Sequence, residues 1–228
     1  MNHTVKEFYN QIQFPGHYTK NSLSLHSPEI LNPYLKIINS VLDNNIDIVD
    51  IGCGSGLISN FFAFKYPKSN FTGIDFADSI DYATKYSVEN QLTNVNYIKT
   101  DFSGYESNKQ YDVVICQGVL HHMPNYKENI IKIKSMVKPQ GHLILGLYHP
   151  WGKLAKKLFQ INYRNKILFQ DQELNPYEKS FTFSEVNNLC GEFKLKTCYP
   201  LLFNRLVALP NLFNFKNGGL TTYILEKS

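Results

Sequence analysis

The chain has 228 residues, 43% hydrophobic and 18% charged, with a formal net charge of +4. That is enough for one sizeable core, but no uninterrupted apolar run reaches the roughly 20 residues that span a bilayer. The best candidate, residues 201–215, is broken by Asn204, Arg205, Pro210 and Asn211. The charge also argues against a nucleic-acid face spread over the whole protein, because residues 151–170 hold five cations and no acid, leaving −1 for the remainder.

The first twenty residues are polar and aromatic, without the apolar run of a signal peptide. Cys53, Cys116, Cys190 and Cys198 form no C-x-x-C pair. Together these features predict reduced thiols and a cytoplasmic protein. Phe8, Tyr9, Phe14 and Tyr18 gather around Pro15-Gly16. Ser27-Pro28-Glu29 then reads as a helix start, with Ser27 as N-cap and Pro28 at the first helical position. Ile30, Leu31, Leu35, Ile38 and Leu42 give that helix an apolar stripe.

The stretch from Ile46 to Tyr66 organises the chain. A short apolar strand, Ile46 to Ile51, runs straight into Gly52-Cys53-Gly54-Ser55-Gly56, and a helix follows from Leu57. Glycine bends sharply and lets a ligand approach the backbone, and the helix N-terminus behind it favours an anionic or carboxylate-bearing ligand. The spacing is G-x-G-x-G with Asp50 two residues ahead. A dinucleotide turn, G-x-G-x-x-G, places its third glycine where Leu57 stands.

A second strand, Asn70 to Ile74, ends at Asp75-Phe76. A carboxylate there suits a ribose, whose vicinal diol donates two short O–H bonds, and Phe76 can pack beside an adenine. A helix over about 79–91 leads to a third strand, Val95 to Thr100, ending at Asp101-Phe102. The fourth strand, Asp112 to Cys116, is a continuous apolar run of the kind found in buried parallel sheets. Gln117-Gly118-Val119-Leu120-His121-His122 leaves its end. Asn125 with Glu128 resembles a capping box, and the helix it opens runs to about Val137. Lys138-Pro139-Gln140-Gly141 is a turn, His142 to Tyr148 a fifth strand, and Tyr148-His149 lies at its end. Residues 150–181 interrupt the alternation with a basic amphipathic segment. Lys194 to Tyr199 and Thr221 to Glu226 are strands six and seven, separated by an apolar connection far longer than the usual two to six residues.

The glycine turn with Asp50, Gly52, Cys53, Gly54 and Gly56, followed by Asp75 and Asp101 at strand ends, resembles the class I S-adenosylmethionine-dependent methyltransferases, over residues 40–150 above all. The resemblance implies a doubly wound α/β sheet of seven strands, the seventh antiparallel beside the fifth. It implies S-adenosylmethionine as cofactor, held by the glycine turn, Asp75, Phe76, Asp101, Phe102 and Gln117, with Asp101 receiving the adenine amino group and the backbone N–H of Phe102 a ring nitrogen. Leu120-His121-His122 is similar to the segment after strand four in small-molecule methyltransferases, which makes His122 a candidate base; the end of strand five often faces the acceptor in that family, which makes His149 a candidate base or acceptor ligand. Tyr9, Tyr18 and Tyr148 are the candidate acceptor contacts. One domain is expected: an N-terminal extension at 1–43, a cofactor core at 44–148, and acceptor-covering insertions at 150–181 and 201–219. The lysines that follow strand five also leave open a membrane-surface contact or an RNA substrate. No metal site is expected. The reading is of a monomer or homodimer acting on a small-molecule acceptor. A cofactor-binding regulatory module without turnover is the alternative from another class, and a nicotinamide oxidoreductase a more distant one.

Overall fold

Four consecutive strands, β1 (Asp47–Ile51), β2 (Asn70–Asp75), β3 (Val95–Lys99) and β4 (Tyr111–Gln117), alternate with helices α2 (Leu57–Lys65) and α3 (Ser79–Glu89), preceded by α1 (Pro33–Asn39). Helix α4 (Tyr126–Ser135), strand β5 (Val137–Tyr148), helix α5 (Phe183–Leu189) and strands β6 (Phe193–Tyr199) and β7 (Leu220–Lys227) complete the chain. The structure is a computed structural model and describes residues 7–10, 33–150, 175–199 and 219–228. The expected cap at Ser27, the contact from Tyr18, the basic helix within 151–170 and the apolar connection over 201–218 lie outside the described residues.

The strands form one sheet in the order β3-β2-β1-β4-β5-β7-β6. Strands β1 to β5 pair in parallel, and β7 lies antiparallel between β5 and β6, as the resemblance implies. The central strands β1 and β4 are largely apolar and buried because both faces are covered. Successive residues feed opposite cores: Val49, Ile51, Val114 and Cys116 point to one, Ile48, Val113 and Ile115 to the other. Helix α1 closes the second core with Leu35 and Ile38, and the Tyr34 hydroxyl donates to the Leu220 carbonyl (2.9 Å) at the sheet's far end. The chain order reverses between β1 and β4, so the cleft of this sheet belongs at the C-terminal ends of β1, β2 and β4.

Three local expectations are corrected. Asn125 precedes α4, but its side chain makes no cap bond. Its ψ of 40° is far from the extended conformation that a capping side chain requires. The reciprocal box forms instead at Thr182 and Glu185 on α5, where the cap residue is extended. Strand β5 begins at Val137, not His142, pairing with Tyr111 before a register shift. The turn at 138–141 is thus an irregularity within the strand. The left-handed position in it falls on Gln140 (φ 61°), not on the glycine. Gly141 is needed for another reason, since a Cβ there would lie 2.9 Å from the carbonyl oxygens of Asp112 and Lys138.

Candidate active site

The chain leaves β1 through three alternating glycines, all left-handed: Gly52 (φ 71°), Gly54 (φ 55°) and Gly56 (φ 78°). The turn is anchored from β2. The N–H groups of Gly52 and Cys53 both donate to the Ile74 carbonyl (2.7 and 3.2 Å), and the Gly54 N–H donates to Asp75 Oδ2 (2.8 Å). Gly52 also permits a close approach, because a Cβ there would fall 2.3 Å from a methyl of Val119, on the segment that leaves β4.

Asp75 is the hub. Its Oδ1 accepts the Ala77 N–H (2.8 Å) while Oδ2 holds Gly54, and it is 9% exposed. Burial pushes its pKa up and these N–H bonds pull it back. A carboxylate has about four acceptor positions, so with the Gly54, Ala77 and Phe76 N–H groups satisfied it still has acceptor capacity for a ligand hydroxyl. Behind it, Asp50 is 2% exposed and accepts the Ser59 hydroxyl (2.7 Å). Burial drives its pKa to about 7, opposed by that hydrogen bond and reinforced by the nearby Asp75 charge. Burial also raises the Cys53 thiol, which is therefore neutral.

From the other side of the switch point, Gln117 ends β4 with its Nε2 donating to Thr222 Oγ1 (2.7 Å). Its Oε1 is buried without a hydrogen-bond partner among the described residues. Gly146, its register partner on β5, makes the room, since a Cβ there would lie 2.4 Å from Oε1. The chain then makes a 3-10 turn, Leu120–His122. His122 is 3% exposed, and its Nδ1 lies 3.0 Å from the Tyr177 carbonyl oxygen.

These groups surround an open cleft at the C-terminal edge of the sheet. Among the described residues, Gly52, Gly54, Asp75, Phe76, Ala77 and Ser79 line one side and Gln117, Gly118, Val119, His122 and Met123 the other. Tyr9 lines it too, its ring centroid 6.1 Å from both Phe76 and His122. Asp50 at the end of β1, and Cys53 and Gly56 in the turn, lie outside the described lining. Asp101 and Phe102 stand at the end of β3, outside the described lining. Asp101 Oδ1 accepts the Ser103 N–H (2.9 Å), and the Phe102 ring is in the core below Lys132. Tyr148 is buried with its ring 4.2 Å from His121. The His149 N–H donates to the Gly219 carbonyl (3.0 Å), and burial holds its imidazole pKa below the usual value. Neither residue is in the described lining. Sequence reasoning missed Ser79, Val119, Met123 and the partners Asn175 and Tyr177. Val119 and Met123 flank the histidines and were within its reach; the Tyr177 contact is made by a carbonyl, which no side chain announces.

An open parallel sheet with a glycine turn, an acid after β2 and a cleft at the switch point defines a nucleotide-type cofactor fold. Residues 42–194, about two thirds of the chain, match a family described as a methyltransferase domain, and the chain belongs to that family. It is 37% identical over 122 residues to the ubiquinone biosynthesis O-methyltransferase of Rickettsia bellii (52% of this chain, 50% of that protein). It is 31% identical over 137 residues to the (S)-coclaurine N-methyltransferase of Papaver somniferum (60% of this chain, 39% of that protein). The chain thus spans about half the length, or less, of these curated relatives. Among solved structures, N-methyltransferase NodS from Bradyrhizobium japonicum WM9, in complex with S-adenosyl-L-homocysteine, has a TM-score of 0.65 at 11% identity over 98% of both chains. That likeness concerns the fold.

Proposed function

We propose that this chain is an S-adenosylmethionine-dependent methyltransferase acting on a small-molecule acceptor. The observation that carries the reading is Asp75: a buried carboxylate at the cleft wall, held by the N–H groups of Gly54 and Ala77 and with acceptor capacity left for a ribose hydroxyl. Relatives of both O- and N-methyltransferase type support the reaction class. Phe76 is placed to pack beside the adenine, and Asp101 and the Phe102 N–H extend the same edge at the end of β3. Asp50, buried and about half ionised at pH 7, is drawn toward full negative charge by a cation bound above the turn.

When bound, the cofactor supplies a methyl group already activated on a sulfonium, together with its leaving group. The chain's own work is then alignment and exclusion of water, and effective molarity carries much of the rate. Tyr9, Val119, Met123 and His122 give the described wall an aromatic and apolar character, which favours an aromatic or apolar acceptor. For an acceptor that arrives protonated, His122 is the base. The Tyr177 carbonyl can only accept, so Nδ1 carries a hydrogen, and in the neutral ring the lone pair sits on Nε2. The lid role of residues around 151–170, the location in the cytoplasm and a monomeric or homodimeric state belong to this proposal. Among the described residues no helix is long and apolar enough to cross a membrane.

Calorimetric titration tests the cofactor directly. S-adenosylmethionine and S-adenosylhomocysteine are expected to bind and NAD not to bind. Binding of NAD in their place overturns the proposal.

A further inference from the structure

Residues 7–10 form a short helical turn that touches both sides of the cleft. Asn10 Oδ1 accepts the Asp78 N–H (3.1 Å), at the start of α3 on the cofactor side. One residue earlier, the Tyr9 hydroxyl lies 3.0 Å from Asn175 Nδ2, on the segment that precedes α5. The Asn175 Oδ1 meanwhile accepts the Tyr177 N–H (3.2 Å). That contact fixes which way the amide points. A backbone N–H can only donate, so the oxygen must face Tyr177 and the NH2 must face Tyr9. Tyr177 in turn presents its carbonyl oxygen to His122 Nδ1 (3.0 Å).

We infer that Asn175 is a positioning residue, which through its two ends holds Tyr9 against the cleft and sets the Tyr177 carbonyl that fixes the His122 tautomer. The chain of contacts runs from the Tyr9 hydroxyl to the Asn175 amide, to the Tyr177 N–H, across the Tyr177 Cα to its carbonyl, and so to the His122 imidazole. Its elements come from positions 166 and 55 residues apart in sequence, so the link exists only in the folded state. One side chain thus touches both the N-terminal turn, which Asn10 also ties to Asp78, and the backbone that faces the candidate base; losing Asn175 removes one tie on Tyr9 and loosens the Tyr177 carbonyl that favours the Nδ1–H form. The catalytic meaning of this link rests on the proposed role of His122 as base; the tautomer itself does not.

The test reads the tautomer by nitrogen-15 NMR of the histidine-labelled 228-residue protein at alkaline pH. His122→Gln identifies the signal among the seven histidines. Wild type is expected to show His122 as the Nδ1–H form. Asn175→Ala is expected to shift the tautomer ratio toward Nε2–H by roughly fivefold, the equilibrium equivalent of one net hydrogen bond. Asn175→Asp keeps an oxygen for the Tyr177 N–H and is expected to restore the wild-type ratio, which a loss of folding stability alone does not explain. An unchanged ratio in folded Asn175→Ala overturns the inference, as does loss of the Nδ1–H form in folded Asn175→Asp. Full turnover in His122→Gln, with the tautomer still following Asn175, overturns only the base assignment.

Discussion

Replacing Asp75 with alanine perturbs two things that the structure separates. One is ligand binding. If the carboxylate accepts from a ribose hydroxyl, the loss is that of one charge-assisted hydrogen bond, about 1.5–3 kcal/mol, or roughly 10- to 150-fold in dissociation constant. The other is the fold of the glycine turn. The Gly54 and Ala77 N–H groups, both 2.8 Å from the carboxylate, lose their acceptor, and each buried donor left unpaired costs about 1–3 kcal/mol. Relief of the buried charge, whose pKa burial raises, offsets part of that cost. Asp75→Asn separates the two effects further, since one amide oxygen still accepts one N–H while the NH2 opposes the other donor. The assay is calorimetric titration with S-adenosylhomocysteine beside a thermal melt of each variant. Weakened binding in a variant that still melts cooperatively is the expected result. A folded Asp75→Ala protein with wild-type affinity refutes the ribose role.

Asp50 gives a pH signature. Its folded pKa, about 7, lies above the ordinary 3.8, so between those values the folded state keeps a proton that the unfolded state releases. Stability therefore falls as pH rises through that window, by roughly 4 kcal/mol once both states are ionised. Asp50→Asn retains the Ser59 bond without the charge; it should gain melting temperature above neutrality and little near pH 4, and a gain of equal size at both ends would contradict the burial argument. Gln140→Gly should stabilise by about 0.5–1 kcal/mol, because a side chain at φ 61° is strained; this corresponds to a few degrees in a chain of this size, and a lower melting temperature would count against it. With an acceptor in hand, His122→Gln should lower turnover about 10²- to 10⁴-fold while cofactor affinity holds, and unaltered turnover would remove His122 as the base.

The parallel core was legible because its signals are local. The short, mainly apolar run to Ile51 and the continuous one to Cys116 mark buried strands, and glycines at alternate positions mark a turn that only left-handed residues can make. The boundaries shifted where tertiary contacts decided them, as at Val137, which joins β5 because Tyr111 pairs with it. The Thr182 box formed and the Asn125 box did not, although both have the pattern, because capping depends on a backbone angle that sequence spacing does not record. The cleft was half legible. Asp75, Phe76, Gln117, His122 and Tyr9 come together there, whereas Tyr148 and His149 follow β5 into buried surroundings that strand-end position alone does not disclose. The anchoring of the glycine turn by Asp75 and of His122 by Tyr177 depends on backbone groups, which every residue carries and no motif distinguishes.

The most direct test of the account is methyl transfer itself. The protein is incubated with S-adenosylmethionine labelled in its methyl group and a fractionated extract, and the label is followed into small molecules, RNA and protein. The account expects label in a small, aromatic or apolar compound, dependent on active protein and strongly reduced by Asp75→Ala. Cofactor binding with no labelled small molecule, or label confined to RNA or protein, would contradict it.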